Sequence, residues 1–532
     1  MARAGRGGGL MGGEMLAAGK AARREAVPGR ADRRWRIALI VIAAGTLVRL
    51  VVGALLPLVP DEAYYWVWSQ RLAAGYFDHP PGIALAIRSG TTLLGTSYLG
   101  VRLGPILAGT VCALAIAATA RRLGGDGAAL LAAMATTLVP LAAAGLVLAT
   151  PDAPLLATWA CAVYALVRAL QAPPGSRAAL GWWAAAGLAL GAAFVSKYTS
   201  ILLPAGVFIA LALHPRLRRR LAEPGPWLAA GIATLVLLPV LIWNAGHGWI
   251  SFTFQIQHGL HASGADFVRT ALRYEGDFLG GQLGLASPIL FVLMAIAVGR
   301  ALRRRGDPVR WTLAVVSVAV MALFAYSALR KRVEPNWPAP AYVGAIILLA
   351  AGDRRRYGRW LGAGVVLAGA MTLVVYLDAV APILPLPAPR DPVARAFGWD
   401  ALAAAAQRAA REPSPTPGAR SWIGAERYQE AAEIAFHTGD PTTFALNLTG
   451  RSNQYDLWPG FPQLARPGDR LVLVLDEAHG PPPDVELLAP YFESARRGAL
   501  VERRRGGGTI ATRRIYVLDG WRGGWPDGRG GR

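Results

Sequence analysis

Long apolar segments alternate with short polar ones over the first 380 residues or so of the chain. An α-helix needs about 20 predominantly apolar residues to cross the hydrocarbon core of a bilayer. Eleven segments approach or reach that length, although those near 199–213 and 338–351 are short and have a re-entrant course as an alternative. The pattern predicts about 11 transmembrane helices, within a range of 9 to 13. The segments lie near 37–58, 98–120, 127–148, 153–170, 179–195, 199–213, 226–243, 285–302, 311–329, 338–351 and 360–382.

Composition supports the same fold class. Hydrophobic residues make up 54% of the 532 residues and charged residues only 17%, whereas soluble domains carry about 25% charged residues. This excludes a soluble multidomain enzyme. We therefore expect an all-α polytopic membrane protein, with a transmembrane domain over 37–384.

The positions of the basic residues predict the orientation. Lys and Arg total 55 against 33 Asp and Glu, a net charge of +22. A nucleic-acid-binding protein would gather such charge on one soluble face, but here it lies mainly in the tail 1–36 and in short loops between apolar segments. Because basic loops stay in the cytoplasm, we expect a disordered cytoplasmic tail, no nucleic-acid partner, and an outer face formed by the longer loops, the first of them at 59–97.

The last part of the chain is more polar. A Pro-rich linker at 382–392 leads to a region with two β-like runs, at 471–475 and 514–518. We predict a small α/β domain over 385–520, periplasmic because an odd number of spans sends it outside. The Gly/Arg-rich segment 521–532 is expected to be a disordered tail.

Cysteine and histidine give no metal pattern. Cys112 and Cys161 both lie in apolar runs, which excludes a disulfide framework and a thiolate metal site. His79, His247 and His258 have no metal-ligand spacing. We expect no metal or other cofactor, with a bound divalent ion as the alternative.

The first outer loop holds the most informative segment. Asp61 and Glu62 stand next to each other just beyond an apolar run, followed by aromatic residues and by the segment 76–81. Charges placed near hydrocarbon are costly and are usually functional, and a carboxylate can act as a general base towards a hydroxyl. The alternative is a helix cap for Asp61 and an interfacial belt for the aromatics. The aromatics are Tyr64, Tyr65 and Trp66.

Two further charges fall on the same side of the membrane. Asp152 lies between two prolines, in a position that also suits a helix cap. Lys197 departs from the positive-inside trend. It is either a phosphate-binding ammonium or a lysine that snorkels to the interface.

The remaining outer loops add aromatic, amide and cationic residues. Trp243 and Asn244 begin one cluster, and Asn336 and Trp337 follow three consecutive cations. A bound anion accounts for these cations, and contact with anionic lipid is the alternative. The three cations are Arg330, Lys331 and Arg332.

Carboxylates, cations and aromatics thus share one side of the membrane. Carboxylates suit proton removal, cations suit a phosphate leaving group and aromatic faces suit a sugar ring. Together they predict glycosyl transfer from a lipid phosphate. The predicted substrate contacts are Tyr64, Tyr65, Trp66, His79, Trp243, Asn244, Asn336 and Trp337.

At these residues the chain resembles the GT-C polyprenyl-phosphate-sugar glycosyltransferases. It most resembles the bacterial glycosyltransferase family 39, or protein O-mannosyltransferase-like, group, which is similar to the lipid A aminoarabinose transferases and the rhizobial galacturonosyltransferases. The resemblance spans about 37–340. It is carried by the segments 61–66, 76–81, 150–154, 196–198, 243–244 and 336–338.

The resemblance implies roles for these residues. Asp61 would be the catalytic carboxylate with Glu62 beside it, and Asp152 a second functional acid. The donor phosphate would contact Lys197 and the cations at 330–332. His79 stands where some lipid A relatives have a lysine, which puts a phosphate contact there in question.

The expected function is inverting transfer of a monosaccharide from a polyprenyl-phosphate donor on the periplasmic face of a bacterial inner membrane. The acceptor would be lipid A, lipopolysaccharide core, another envelope glycan or a protein, and the residues select neither sugar nor acceptor. The main alternative is a lipid-linked sugar transporter or flippase, which would carry mid-membrane charges and repeat symmetry. A non-catalytic scaffold is a third.

Overall fold

The computed structural model describes residues 28–260, 267–353, 357–448, 451–477 and 483–526. Most of this part is helical, and apolar helices pack into a bundle that carries a separate C-terminal domain at one end. We call that end the site face. The helices of the bundle are α1 Pro28–Leu55, α2 Pro60–Gln70, α3 Gly82–Leu94, α4 Tyr98–Gly124, α5 Asp126–Leu138, α6 Pro140–Gly145, α7 Asp152–Gln171, α8 Arg177–Ser196, α9 Leu202–Leu213, α10 Pro224–Gly246, α11 Ile250–Leu260, α12 Phe267–Ala286, α13 Pro288–Arg303, α14 Pro308–Ala328, α15 Ala339–Ala350 and α16 Gly358–Val380.

Seven of the described helices are long and apolar enough to span a membrane, or eight when a bent pair is taken as one span. They are α1, α4, α7, α8, α10, α14 and α16. This confirms a multi-pass, mainly helical protein. The number of eleven crossings stays a prediction, since the remaining predicted segments fold as shorter or broken helices.

Proline accounts for two of the breaks. The predicted span 127–148 divides into α5 and α6 at Pro140, and α12 meets α13 at a bend of 100° just before Pro288. Proline lacks the N–H that a helix interior needs and clashes with the preceding turn. Ser287 adopts a positive φ of 65° at the second break, so the predicted span 285–302 starts where the chain changes direction.

The C-terminal domain contains a five-stranded mixed sheet in the order β2-β1-β3-β5-β4. Strand β1 pairs in parallel with β2 and β3, and β5 runs antiparallel to β3 and β4. The predicted β-like runs correspond to β3 and β5. The elements are α17 Trp399–Arg411, β1 Ser421–Ala425, α18 Tyr428–Thr438, β2 Phe444–Ala445, α19 Phe461–Leu464, β3 Arg470–Leu475, α20 Pro483–Leu488, β4 Phe492–Arg505 and β5 Gly508–Trp521.

The structure changes the boundaries of both predicted tails. Helix α1 begins at Pro28, inside the predicted tail 1–36, and β5 continues through Trp521. Trp525 also packs against Phe461, with ring centroids 5.4 Å apart. Residues 1–27 and 527–532 lie outside the described residues.

Helix α2 lies between the bundle and the C-terminal domain. Its aromatic residues share one hydrophobic core with α17, α18 and the sheet. The ring of Trp66, for example, meets that of Phe436 of α18 edge-on at 5.3 Å. The predicted loop 59–97 is therefore largely helical, and the C-terminal domain packs directly on the segment that carries Asp61.

Candidate active site

A cavity of about 1110 Å³ opens at the site face and continues between α8, α9 and α10. Its polar end meets α2, the segment after it and the C-terminal domain. Its long wall is apolar. The polar and aromatic residues at the polar end include Asp61, Tyr64, Tyr65, Asp78, His79, Lys197, Tyr198, Gln255, Tyr428 and Arg451.

Asp61 reaches this cavity from the first turn of α2. The helix starts with Pro60 at its first position and Val59 as its N-cap, an arrangement that proline favours. Asp61 is therefore not the cap that the sequence left as an alternative. Its Oδ1 accepts a hydrogen bond of 3.0 Å from Gln429 of α18, and no described residue donates to Oδ2.

Glu62, predicted to be catalytic, lies on the other side of α2 and away from the cavity. Its carboxylate is fully buried and paired with Arg102 of α4, with Nε 2.8 Å from Oε1 and Nη2 2.5 Å from Oε2. It also accepts backbone hydrogen bonds from Val59 and Ala149. With both oxygens engaged and no surface on the cavity, Glu62 fixes the start of α2 and so the position of Asp61.

Two of the three predicted aromatic contacts line the cavity. Burial raises the pKa of Tyr64 and of Tyr65 well above the ordinary value, so both phenols stay neutral hydrogen-bond donors at physiological pH. Trp66 points the other way, into the core shared with Phe436. Trp66, a predicted substrate contact, is therefore not among the residues that line the cavity, because successive helix residues face different directions.

Asp78 is a functional candidate that the sequence did not single out. Its carboxylate is buried, accepts a hydrogen bond of 2.9 Å from Tyr64 Oη, and lies 3.4 Å from Nη2 of Arg451. Burial raises the pKa of Asp78 to about 6, against the opposing charge of Arg451. Asp61 adds to the rise, since two like charges at one site disfavour double ionisation.

Lys197 and Asp152 form one unit. Lys197 Nζ lies 2.6 Å from Oδ1 of Asp152, and Asn336 Nδ2 donates to Oδ2 at 2.8 Å. Lys197 lines the cavity, whereas Asp152 does not. The structure thus gives Asp152 and Asn336 the role of holding the ammonium in place, rather than direct contact with substrate.

A close backbone approach helps to place this unit. A Cβ on Gly82, at the start of α3, would lie 2.8 Å from both Ser196 Cα and the Val195 carbonyl oxygen. Only glycine permits such an approach. It brings the segment with Asp78 and His79 next to the end of α8, immediately before Lys197.

Trp243 and Asn244 support the first outer loop but do not line the cavity. The indole of Trp243 stacks on His247 at 4.0 Å and covers Gly75 so closely that a Cβ there would lie 2.5 Å from the ring. Asn244 donates a hydrogen bond of 3.2 Å to Tyr198 Oη. The predicted substrate contacts at these two residues are therefore corrected to packing and positioning.

The three cations at 330–332 also lie off the cavity lining. Arg330 stacks on Tyr326, and Lys331 Nζ lies 5.0 Å from the ring centre of Trp337. Trp337, a predicted substrate contact, does line the cavity. Of the four cations predicted to bind phosphate, only Lys197 lines the cavity.

Within the described ranges, no three His, Cys, Asp or Glu side chains are grouped so as to hold a metal ion. The side chain of His258 is not among those described. His79 lines the cavity and faces Tyr65, with ring centroids 6.1 Å apart.

The chain matches known glycosyltransferases. Residues 78–243 match the dolichyl-phosphate-mannose-protein mannosyltransferase family. The lipid A galacturonosyltransferase RgtD of Rhizobium johnstonii is 32% identical over 317 residues, 59% of this chain and 64% of the relative. The lipopolysaccharide core galacturonosyltransferase RgtB of the same organism is 28% identical, over 53% of this chain and 57% of the relative. Each match therefore takes in less than two thirds of the relative.

Over part of its length, the chain is therefore similar in sequence to protein mannosyltransferases and to lipid A galacturonosyltransferases. The fold agrees with this. The structure of ArnT from Cupriavidus metallidurans superposes with a TM-score of 0.62, over 90% of this chain and 97% of the other, at 18% identity. A second structure of that protein, bound to undecaprenyl phosphate, gives a TM-score of 0.61 over the same shares.

The chain takes part of its candidate site from the C-terminal domain. Tyr428 and Arg451 line the cavity, and Gln429 contacts Asp61. No sequence pattern pointed to these residues, because 368 residues separate Gln429 from Asp61 and only tertiary packing joins them.

Proposed function

We propose that the protein is an integral-membrane glycosyltransferase that moves a monosaccharide from a polyprenyl-phosphate donor to an envelope acceptor. The observation that carries this proposal is one continuous cavity. It joins a carboxylate, Asp61, and an ammonium, Lys197, to a long apolar wall between membrane helices. A phosphate carrying both a sugar and a hydrocarbon chain fits such a cavity.

The apolar wall suits the lipid chain. Helices α8, α9 and α10 line it with aliphatic and aromatic side chains. Burial of apolar surface stabilises a bound chain by roughly 25 cal/mol per Å². The wall residues include Leu190, Phe194, Leu202, Val207, Leu211, Leu237 and Leu241.

The polar end suits an inverting displacement. The acceptor hydroxyl oxygen forms a bond to the sugar C1 while the bond from C1 to the phosphate oxygen breaks. Asp61 takes the hydroxyl proton, and the polyprenyl phosphate leaves as an anion stabilised by Lys197. An acceptor phosphate, already anionic, would need no base, and Asp61 would then orient it.

Asp61 suits the base better than Asp78. Asp78 already accepts a hydrogen bond from Tyr64 and faces Arg451. Asp61 keeps Oδ2 unbonded among the described residues. Asp152 serves the reaction through Lys197.

The relatives support an envelope acceptor. RgtD and RgtB are named for galacturonosyl transfer to lipid A and to lipopolysaccharide core. We place the reaction on the periplasmic face of a bacterial inner membrane, with lipid A, core oligosaccharide, another glycan or a protein as acceptor and no metal cofactor.

The test is transfer by purified protein in detergent or nanodiscs, supplied with a polyprenyl-phosphate sugar and an envelope extract and with no ion gradient. Wild type should consume the donor and Asp61→Asn should not, at equal protein level. The matched control is Glu486→Gln, an exposed carboxylate in the C-terminal domain. Full turnover by Asp61→Asn would refute the assignment of Asp61. In a parallel assay with the protein in sealed proteoliposomes, movement of intact donor between the leaflets without consumption would support a flippase. Mass spectrometry of envelope lipids from a deletion strain would identify sugar and acceptor.

A further inference from the structure

Arg451 is the cation that the C-terminal domain contributes to the cavity. It lies between β2 and the short 3₁₀-helix Gln454–Leu457, and it lines the cavity together with Asp61, Asp78 and Lys197. The adjoining Gln454 is bound to the first outer loop, since its Oε1 accepts a hydrogen bond of 2.7 Å from Phe77 N. The position of Arg451 is therefore tied to the segment that carries Asp78.

The guanidinium of Arg451 has N–H donors that no described residue accepts. Nη2 donates to Tyr428 Oη at 2.8 Å and lies 3.4 Å from Asp78 Oδ1. The group also faces the rings of Phe254 and Tyr428, at 5.2 and 5.3 Å. Neither Nη1 nor Nε donates to any described residue. Because arginine has five N–H donors in a planar fork, most of its capacity remains open to a ligand.

The ion pair with Asp78 differs from the structural arginine pairs of this protein. Arg102 and Arg470 are at most 1% exposed, and each has a nitrogen 2.5 Å from a carboxylate oxygen. The Arg451 side chain is 45% exposed, and its 3.4 Å separation exceeds the roughly 2.7–2.9 Å of a good charge-assisted hydrogen bond. Arg451 therefore lies near Asp78, but this contact does not use all of its hydrogen-bond donors.

The two cations among the described residues that line the cavity differ in how closely a carboxylate pairs with them. Lys197 is compensated by the close carboxylate of Asp152, whereas Arg451 has only the longer contact to Asp78. A lipid-linked donor brings a phosphate, and a uronic sugar brings a carboxylate as well. Either group matches the planar fork of arginine.

We propose that Arg451 binds an oxyanion of the lipid-linked donor, so that the C-terminal domain completes the donor site. This inference rests on the proposed function. The oxyanion is either the donor phosphate or the carboxylate of a uronic sugar. Binding exchanges the loose contact with Asp78 for a direct one, while Tyr428 keeps the guanidinium in place.

The experiment measures ligand binding to purified, full-length protein in nanodiscs by native mass spectrometry. The three probes are undecaprenyl phosphate alone, a polyprenyl-phosphate galacturonic acid and the matching galactose compound. The two sugar donors differ only in the carboxylate at C6. The variants are Arg451→Gln and Arg451→Lys. The control is Arg466→Gln, an exposed arginine of the same domain that does not line the cavity.

If Arg451 binds the phosphate, Arg451→Gln should weaken binding of all three probes by roughly 10- to 100-fold, as expected for one charged hydrogen-bonding partner. If it binds a uronic carboxylate, only the galacturonic donor should lose affinity, and the preference over the galactose donor should disappear. The affinity of Arg451→Lys should lie between those of wild type and Arg451→Gln, because lysine keeps the positive charge but lacks the planar fork of N–H donors. Arg466→Gln should bind as wild type does.

Wild-type affinity of Arg451→Gln for all three probes would overturn the inference. Should Arg451→Gln fail to fold, Arg451→Lys and Tyr428→Phe supply the test, and unaltered binding by both would overturn it equally. Failure of the proposed function has a different signature, namely wild-type protein that neither binds undecaprenyl phosphate nor consumes any donor.

Discussion

Lys197 Nζ lies 2.6 Å from Oδ1 of Asp152, in a pair that is largely buried at the end of α8. The two residues are 45 positions apart and come from two different membrane helices. Only the lysine faces the cavity. In the proposed reaction, the acid would therefore act through the position and charge of the lysine.

This pair predicts that stability and activity respond differently to mutation. Removing one partner of a buried ion pair leaves an uncompensated charge and costs about 3–5 kcal/mol. We expect Lys197→Met and Asp152→Asn each to lower the apparent melting temperature, and the double variant to recover part of that loss without recovering sugar transfer. Thermal unfolding and donor consumption measured on the same preparations check this. Recovery of transfer by the double variant would show that the lysine is not needed for the donor.

The Glu62–Arg102 pair should behave as a structural element. Both side chains are fully buried and away from the cavity. Glu62→Gln should reduce the yield of folded protein and destabilise it by about 3–5 kcal/mol, while folded molecules keep transfer rates close to wild type. Size-exclusion profiles, melting curves and rates per folded molecule provide the measurement. A normally folded but inactive Glu62→Gln protein would restore Glu62 as a catalytic residue.

Asp78 predicts a pH dependence of stability. Its pKa is raised from 3.8 to about 6, mainly by burial, so the folded protein holds this proton more tightly than the unfolded chain does. The resulting stabilisation is fully present below about pH 4 and is lost as pH rises through about 6. It amounts to at most about 3 kcal/mol.

Melting temperatures of wild type and Asp78→Asn between pH 4.5 and 7.5 test this dependence. Wild type should lose stability relative to the variant as pH rises, because the Asn side chain does not ionise. Glu486→Gln, which alters an exposed carboxylate, should leave the difference from wild type constant. Parallel curves for wild type and Asp78→Asn would contradict the raised pKa.

The approach of α3 to α8 gives a steric prediction. Gly82→Ala would place a methyl group 2.8 Å from the Ser196 backbone and so shift the segment that leads into Lys197. We expect lower stability and at least tenfold slower transfer, since small displacements of catalytic groups are costly. Gly181→Ala, in the same helix α8 but with no atom within 4 Å of the new Cβ, should leave transfer unchanged. Equal activity in both variants would remove Gly82 from the positioning of Lys197.

Four of the predicted site residues that line the cavity lie within one recognisable segment of the sequence. Asp61, Tyr64, Tyr65 and His79 all belong to the first outer loop and all line the cavity. Glu62 was assigned by adjacency to Asp61, and the helix turns it about 100° away, towards Arg102. The cations at 330–332 were predicted from their charge on the outer side of the membrane. Arg330 lies against Tyr326 and Lys331 against Trp337, and none of the three cations lines the cavity.

The sequence by itself determined the membrane bundle, the polar C-terminal domain and the segment that carries Asp61. These features follow from the length of hydrophobic segments, the charge of loops and local motifs, all of which are properties of consecutive residues. Only the tertiary structure decided which side chains meet. Asp61 meets Gln429 across 368 positions, and Asp78 meets Arg451 across 373. These contacts depend on how the C-terminal domain packs on α2, through a shared core that no local pattern encodes.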